Sequence, residues 1–247
     1  MRIKVLGTQS PYNTLGHNCP GFLILDDDAK VMLDCGSGSH SILNFPKDLE
    51  GLSIIISHLH RDHYNDIFNL QYASFVFHNQ NRLENPINIY LPGTPESIYQ
   101  DVTGEKIGFA KYHTYRESDK IYIGSLEISF CKTDHPVETY AVKISNGKKM
   151  IVYTSDTSFS CKDRLVGFAK GADLLICESS LLVSHGFPEI FVHLTAKQAG
   201  VIAKESGVSL LMLTHFWPEE PVKMYVEEAK SEFDKTFSAQ EGQCIVI

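Results

Sequence analysis

Four short apolar runs in this chain each end in side chains that bind metals, and no other feature constrains the fold as tightly. LSIIIS leads into His58, His60, Asp62 and His63, LEISFCKTD into His135, KKMIVYTS into Asp156, and SLLMLT into His215. Runs such as LSIIIS and SLLMLTH are apolar without strict alternation, as strands are when helices cover one face and another layer covers the other. Loops at the ends of such strands are where α/β proteins assemble sites. Within the first cluster, His58 and His60 lie two apart on extended backbone and can point the same way. Asp62 and His63 come off the following turn and the first residues of a helix, so they aim from another direction. One short loop can therefore serve two ions.

The residue types specify the chemistry. Imidazoles and carboxylates suit zinc, manganese or iron, and the absence of a CxxC pair argues against a sulfur-rich structural site. Seven side chains on two ions leave room for a bridging water, the arrangement of a hydrolytic dinuclear centre. Ligands packed this densely beside a core segment need a cation to offset their burial. His17, His40, His78, His113 and His185 fall outside these strand ends and read as ordinary core or surface histidines.

The remainder of the chain narrows the partners. Its 247 residues are 43% hydrophobic and 21% charged with a formal net charge of -8, the balance of a globular domain with a sizeable core, taken here as one domain over residues 1–247. No Lys/Arg cluster advertises a nucleic-acid surface. No apolar run approaches the ~20 residues of a membrane helix, and MRIKVLGTQSP lacks the apolar stretch of a secretory signal. Six scattered cysteines beside apolar neighbours read as free thiols, which makes the cytoplasm the expected location.

Turns and caps divide the chain into elements. IKVLG, GFLIL, KVMLDCG, LSIIIS and PINIYLP read as strands, with a helix from about Asp62 into SFVFH; residues 94–119 form a looser mixed segment. KIYIG, LEISFCKTDH, TYAVKIS and KKMIVYTSD read as further strands, the last two joined by a hairpin at Asn146-Gly147, a pair suited to left-handed backbone angles. CKDRLVGFAKG and TAKQAGVIAKESG read as helices ending at Gly171 and Gly207, the second beginning at Thr195, with the strand ADLLICE between them. A last helix is expected from Pro221 to Phe237. The pattern implies a compact α/β fold of two packed sheets, with the possibility of two similar halves.

His58, His60, Asp62 and His63, followed by His135, Asp156 and His215, resemble the H-x-H-x-D-H motif and later single ligands of the metallo-β-lactamase superfamily. Within it, TDHPVETYAVKI, GADLLICES and HLTAKQAGVIAKESGVSLLMLTHF resemble motifs of the ribonuclease Z group of phosphodiesterases. The resemblance implies a four-layer αβ/βα sandwich of two mixed sheets with two divalent ions at one edge, zinc foremost, manganese or iron in its place. It implies that His58, His60 and His135 hold one ion, that Asp62, His63 and His215 hold the other, and that Asp156 bridges them. Glu178 and His193 would form an acid pair behind the ligands.

The resemblance also implies an activity: a bridging hydroxide attacks a phosphodiester, Asp62 orients it, and His193, supported by Glu178, serves the leaving oxygen. Asp34 either anchors the histidine loop or only forms a turn with Cys35-Gly36. Three departures separate the chain from tRNA-processing members: Asp66 stands where they carry glycine, FWPEE follows His215, and CKDRLVGFAKGAD follows Asp156 without a glycine- and proline-rich arm. A small phosphodiester or nucleotide-like substrate is therefore expected. The other readings are a lactone or thioester hydrolase, a tRNA 3′-processing endonuclease, and a non-catalytic metal- or nucleic-acid-binding protein. The aromatic stretch Phe75–Phe77 offers a surface for a homodimer.

Overall fold

The computed structural model describes residues 1–104, 108–186 and 192–247. The first half runs β1 (Arg2–Gly7), β2 (Gly21–Asp26), β3 (Ala29–Leu33), β4 (Ser53–Ile55), α1 (Arg61–Tyr64), α2 (Ile67–Asn79), β5 (Ile87–Leu91), α3 (Glu96–Gly104) and β6 (Ala110–Thr114). The second half runs β7 (Lys120–Ile123), β8 (Leu126–Lys132), β9 (Tyr140–Ser145), β10 (Met150–Tyr153), α4 (Lys162–Ala169), β11 (Leu174–Glu178), α5 (Ala196–Ser206), β12 (Leu211–Thr214), α6 (Val222–Lys230), β13 (Thr236–Ser238) and β14 (Cys244–Val246).

Two seven-stranded sheets result, in the orders β14-β1-β2-β3-β4-β5-β6 and β13-β12-β11-β10-β9-β8-β7. In each, three antiparallel pairs give way to three parallel pairs, the change falling at β3–β4 in one sheet and β10–β11 in the other. The two halves thus repeat one plan.

Period-two alternation assigns each strand's faces. Ile151 and Tyr153 of β10 join Phe22, Ile24, Val31 and Val142 in the core between the sheets. Val152, between them in sequence, points the other way and packs with Leu165 of α4, Ala199 of α5 and Tyr225 of α6. On the outer face of the first sheet, Met32, Ile54 and Ile89 pack with Ile67 and Leu70 of α2 and Val102 of α3. Each fully buried aliphatic side chain stabilises the fold by about 1.5–3 kcal/mol before ordering costs. The layers are helix, sheet, sheet, helix, as the family resemblance implies.

Several boundaries differ from the sequence expectation. The helix expected from Asp62 is divided at Asn65–Asp66, where the Asp66 N–H turns aside to donate to the Cys35 carbonyl at 3.0 Å. The last helix stops at Lys230, and Thr236–Ser238 instead pairs in parallel with β12 as the sheet edge. The mixed segment contains α3 and β6, and the C-terminal strand β14 pairs with β1. At the β9–β10 hairpin only Gly147 is left-handed (φ 79°); Asn146 accepts from the Lys148 and Lys149 N–H groups through its side chain. α5 begins and ends as expected: Thr195 Oγ1 accepts from the Gln198 N–H at 3.0 Å, and Gly207 is left-handed at φ 64°. Among the described residues no helix is long and apolar enough to cross a membrane.

Candidate metal centre

The ends of β4, β10, β11 and β12 and the β8–β9 loop converge on one edge of the sandwich. His58 and His60 follow the end of β4, His60 on extended backbone, and Asp62 and His63 occupy the first turn of α1. Gly36 makes this turn possible, because a Cβ there would strike the Asp62 carbonyl oxygen and the Cys19 backbone. Three non-glycine residues around the site are left-handed, Asp34 (φ 54°), Ser155 (φ 53°) and His215 (φ 65°). Such backbone costs energy and persists where the surroundings hold it.

The seven side chains at the strand ends fall into two groups. His60 Nδ1 lies 3.1 Å from His58 Nε2 and 3.0 Å from His135 Nε2. His63 Nε2 and His215 Nε2 are 3.1 Å apart, with Asp62 Oδ2 at 3.5 and 3.6 Å from them. Asp156 stands between: Oδ2 is 3.5 and 3.7 Å from His58 and His135, while Oδ1 is 3.3 and 3.1 Å from His63 and His215. A tetrahedral cation bound at about 2.1 Å holds its ligands about 3.4 Å apart, so both groups have coordination spacing.

The hydrogen bonds on the far side of each ring show which nitrogens face inward. His63 Nδ1 is 2.7 Å from the Asp34 carboxylate, which only accepts, so Nδ1 donates. Ser57 Oγ and Ser180 Oγ give their protons to Asp34 and Glu178, and so accept from His58 Nδ1 (3.1 Å) and His215 Nδ1 (2.6 Å). His135 Nδ1 donates to the Val192 carbonyl at 3.3 Å. In their neutral, ligating form four imidazoles therefore aim a bare Nε2 inward. Among the described residues Asp156 Oδ1 is buried without a hydrogen-bond partner, and lone pairs facing one another at 3.1 Å repel unless a cation or proton lies between them. The donor set fits divalent cations.

The electrostatics divide the cluster: burial works against a charge on His63, but Asp156, Asp62 and Asp34 outweigh it and raise that ring well above the usual imidazole range. Burial, then neighbouring His63, keeps the fully enclosed His58 well below the usual imidazole range. Burial, against the pull of Asp156, lowers His135 to about 4. Burial opposes ionisation of Asp62 and Asp156, yet the surrounding imidazoles hold both carboxyls below their ordinary range. Neutral imidazoles and ionised carboxylates are the ligating forms, so a cation entering the cluster displaces the proton that the carboxylates favour on His63.

His193 and Glu178 sit beside the cluster. His193 Nδ1 is 3.0 Å from Glu178 Oε1, whose carboxylate also accepts from the Thr157 N–H (3.0 Å) and Ser180 Oγ (2.9 Å). Burial works against a charge on His193, but Glu178 outweighs it and raises the ring to about 9. A ring atom of His193 also lies within 4.8 Å of Asp156 and His215 ligand atoms.

Supporting groups surround the ligands, and apart from Asp34 they carried no sequence signal. Asp34 is wholly buried and accepts from the Ser57 N–H (2.7 Å), Ser57 Oγ (2.9 Å) and Tyr153 Oη (2.7 Å) besides His63. Of its two readings, the anchoring one describes this geometry. Ser10, in the β1–β2 loop, donates to Asp62 Oδ2 at 2.7 Å, and Ser155 Oγ donates to Ser57 Oγ at 2.6 Å. The other histidines lie elsewhere: His17, His40 and His185 pair with Glu241, Asp66 and Glu220, while His78 stacks on Phe109 and His113 on Tyr90. On α2, Phe75 and Val76 are exposed, whereas Phe77 packs inward.

Comparison with known proteins gives concordant likenesses. The sequence pattern of the "Beta-lactamase superfamily domain" matches residues 30–216. "Probable metallo-hydrolase YhfI" of Bacillus subtilis strain 168 is 33% identical over 220 residues, covering 87% of this chain and 86% of its own. Ribonuclease Z of Thermoplasma volcanium is 27% identical over 303 aligned positions, covering 98% and 95%. The crystal structure of Bacillus subtilis YhfI superposes with a TM-score of 0.90 at 29% identity, over 99% of this chain and 98% of the other. Human tRNase Z, short form, shares the fold with a TM-score of 0.76 at 19% identity, over 100% and 99%.

Proposed function

The chain belongs to the β-lactamase superfamily as a metallo-hydrolase, and from that premise we propose that it hydrolyses small phosphodiesters with a dinuclear centre. The observation that carries this is Asp156, each of whose oxygens faces a separate trio of ligand atoms, His58, His60 and His135 on one side and Asp62, His63 and His215 on the other. All donors are nitrogen or oxygen, which suits zinc, manganese or iron.

Divalent cations in such a centre supply Lewis-acid polarisation of a phosphoryl oxygen and make water more acidic. The protein's own groups do the rest. Asp62, held by the Ser10 hydroxyl, accepts a hydrogen bond from the attacking water and fixes its direction. His193, with Nδ1 tied to Glu178, presents Nε2–H to the leaving oxygen and gives up that proton as the bond breaks. Asp34, Ser57 and Ser180 hold the ligand rings in the tautomer that leaves Nε2 bare.

The surroundings support a small substrate over an RNA. The connection from Asp156 to α4 is five residues long and carries no extended arm, and the net charge of -8 opposes a polyanion. The test is a parallel assay of bis-p-nitrophenyl phosphate and a homoserine lactone on protein loaded in turn with zinc, manganese and iron. Preferential diester hydrolysis is expected; lactone hydrolysis alone would replace this reading with the carboxylic-ester one.

A further inference from the structure

A recess of ≈ 280 Å³ is lined by the described residues Leu181, His185, Trp217 and Glu220. Its position follows from the chain. Trp217 is two residues beyond His215. Leu181 follows Ser180, the hydroxyl that holds His215, and its N–H donates to the Leu194 carbonyl at 3.1 Å, next to His193. The recess is therefore flanked by neighbours of a candidate ligand and of the candidate acid.

Its chemistry is specific. Trp217, the chain's single tryptophan, is 38% exposed and lines the recess with Leu181, so the wall these two form is mainly apolar. His185 Nδ1 accepts from the Leu182 N–H at 3.2 Å, which fixes the tautomer and leaves Nε2–H to donate to Glu220 Oε1 at 3.3 Å. Glu220 Oε2 receives no donor among the described residues, and the recess has no Lys or Arg lining among them. A flat apolar wall beside a free carboxylate oxygen suits a planar ring that carries an amino group and no negative charge. The volume falls just below the ~300–1,000 Å³ of small-molecule sites, room for one ring system rather than an oligonucleotide.

We propose that this recess binds an amino-bearing nucleobase of the substrate, stacked on Trp217 and donating its exocyclic amine to Glu220. The inference rests on the phosphodiesterase reading and narrows its substrate to nucleoside phosphodiesters whose base carries an amine. Stacking on an aromatic side chain is sequence-tolerant, so Glu220 supplies the discrimination between bases.

Because Trp217 is the only tryptophan, its fluorescence reports the recess without any turnover. Titration with adenosine 5′-monophosphate is expected to quench it saturably, inosine 5′-monophosphate to bind about tenfold more weakly, and ribose 5-phosphate to leave it unquenched. Glu220→Gln should remove the difference between the two nucleotides. In turnover, Trp217→Ala should lower the ratio of kcat/KM for adenosine 5′-(p-nitrophenyl phosphate) over methyl p-nitrophenyl phosphate about 10- to 100-fold, with Trp217→Phe restoring most of it. Quenching by adenosine 5′-monophosphate no greater than by ribose 5-phosphate, or an unchanged substrate ratio in Trp217→Ala, would overturn the proposal. If neither diester is hydrolysed by loaded wild-type protein, the phosphodiesterase reading falls while the fluorescence titration still decides the recess.

Discussion

Replacing Asp34 by asparagine probes how far the metal centre depends on groups that never reach a ligand position. Asparagine keeps the shape and tolerates the left-handed backbone at φ 54°, so the change isolates the carboxylate. One Asp34 oxygen accepts from Ser57 Oγ, His63 Nδ1 and Tyr153 Oη, and the other accepts from the Ser57 N–H. An asparagine that turns its oxygen to the first three donors sets its NH2 against the Ser57 N–H. Each of three bonds to a charged acceptor then becomes a neutral one at a cost of about 1 kcal/mol, and the orphaned buried N–H adds about 1–3 kcal/mol. The expected loss is about 4–6 kcal/mol of an ordinary 5–15 kcal/mol, with zinc affinity reduced about 10- to 100-fold because His63 loses its orienting partner. Tyr153→Phe, which removes one donor only, should cost about 1.5–3 kcal/mol. Urea denaturation of the chelated protein measures the first quantity and competition with a chromophoric chelator the second. An Asp34→Asn protein within about 1 kcal/mol of wild type, with unchanged zinc affinity, would refute the anchoring argument.

Three other outcomes are expected. His193→Ala should lower phosphodiester turnover about 10²- to 10⁴-fold while elemental analysis finds the metal content intact, and full activity would remove the assigned role. Gly36→Ala forces a Cβ against the Asp62 carbonyl and the Cys19 backbone, neither of which can swing aside; a loss of about 1–3 kcal/mol in a thermal melt is expected, together with weaker zinc binding. Although burial opposes ionisation of Glu50, the Asn85 amide and the N–H groups of Glu84 and Asn85 hold its carboxyl below the usual range. Its stabilisation is thus present above an unfolded pKa of about 4.3 and lost as pH falls through the lower folded value. The stability gap between wild type and Glu50→Gln should accordingly narrow between pH 5 and pH 3 in urea titrations.

How much of this was legible beforehand depended on the kind of signal. The strand ends were readable because apolar runs stopped at imidazoles and carboxylates, and the structure does bring His58, His60, Asp62, His63, His135, Asp156 and His215 together. Thr195, Gly171 and Gly207 marked helix ends through local chemistry that needs no tertiary contact. β6 and β14 were obscure because AKYHT and CIV lie at sheet edges, half-exposed, with no run of buried residues. The expected final helix overran because nothing local distinguishes a helix end at Lys230 from the edge strand that follows; pairing with β12 decides it. Asp34, with its two readings, and the hydroxyls of Ser10, Ser57, Ser155 and Ser180 acquire roles only through partners distant in sequence, which no spacing rule reveals.

The most direct test of the account is a titration of chelated protein with zinc, following bis-p-nitrophenyl phosphate hydrolysis against equivalents bound per chain. Two trios of ligands sharing Asp156 require that activity rise to a plateau at two equivalents, and that Asp156→Ala abolish both the second equivalent and the turnover. A plateau at one equivalent, or an Asp156→Ala protein that still binds two, would contradict it.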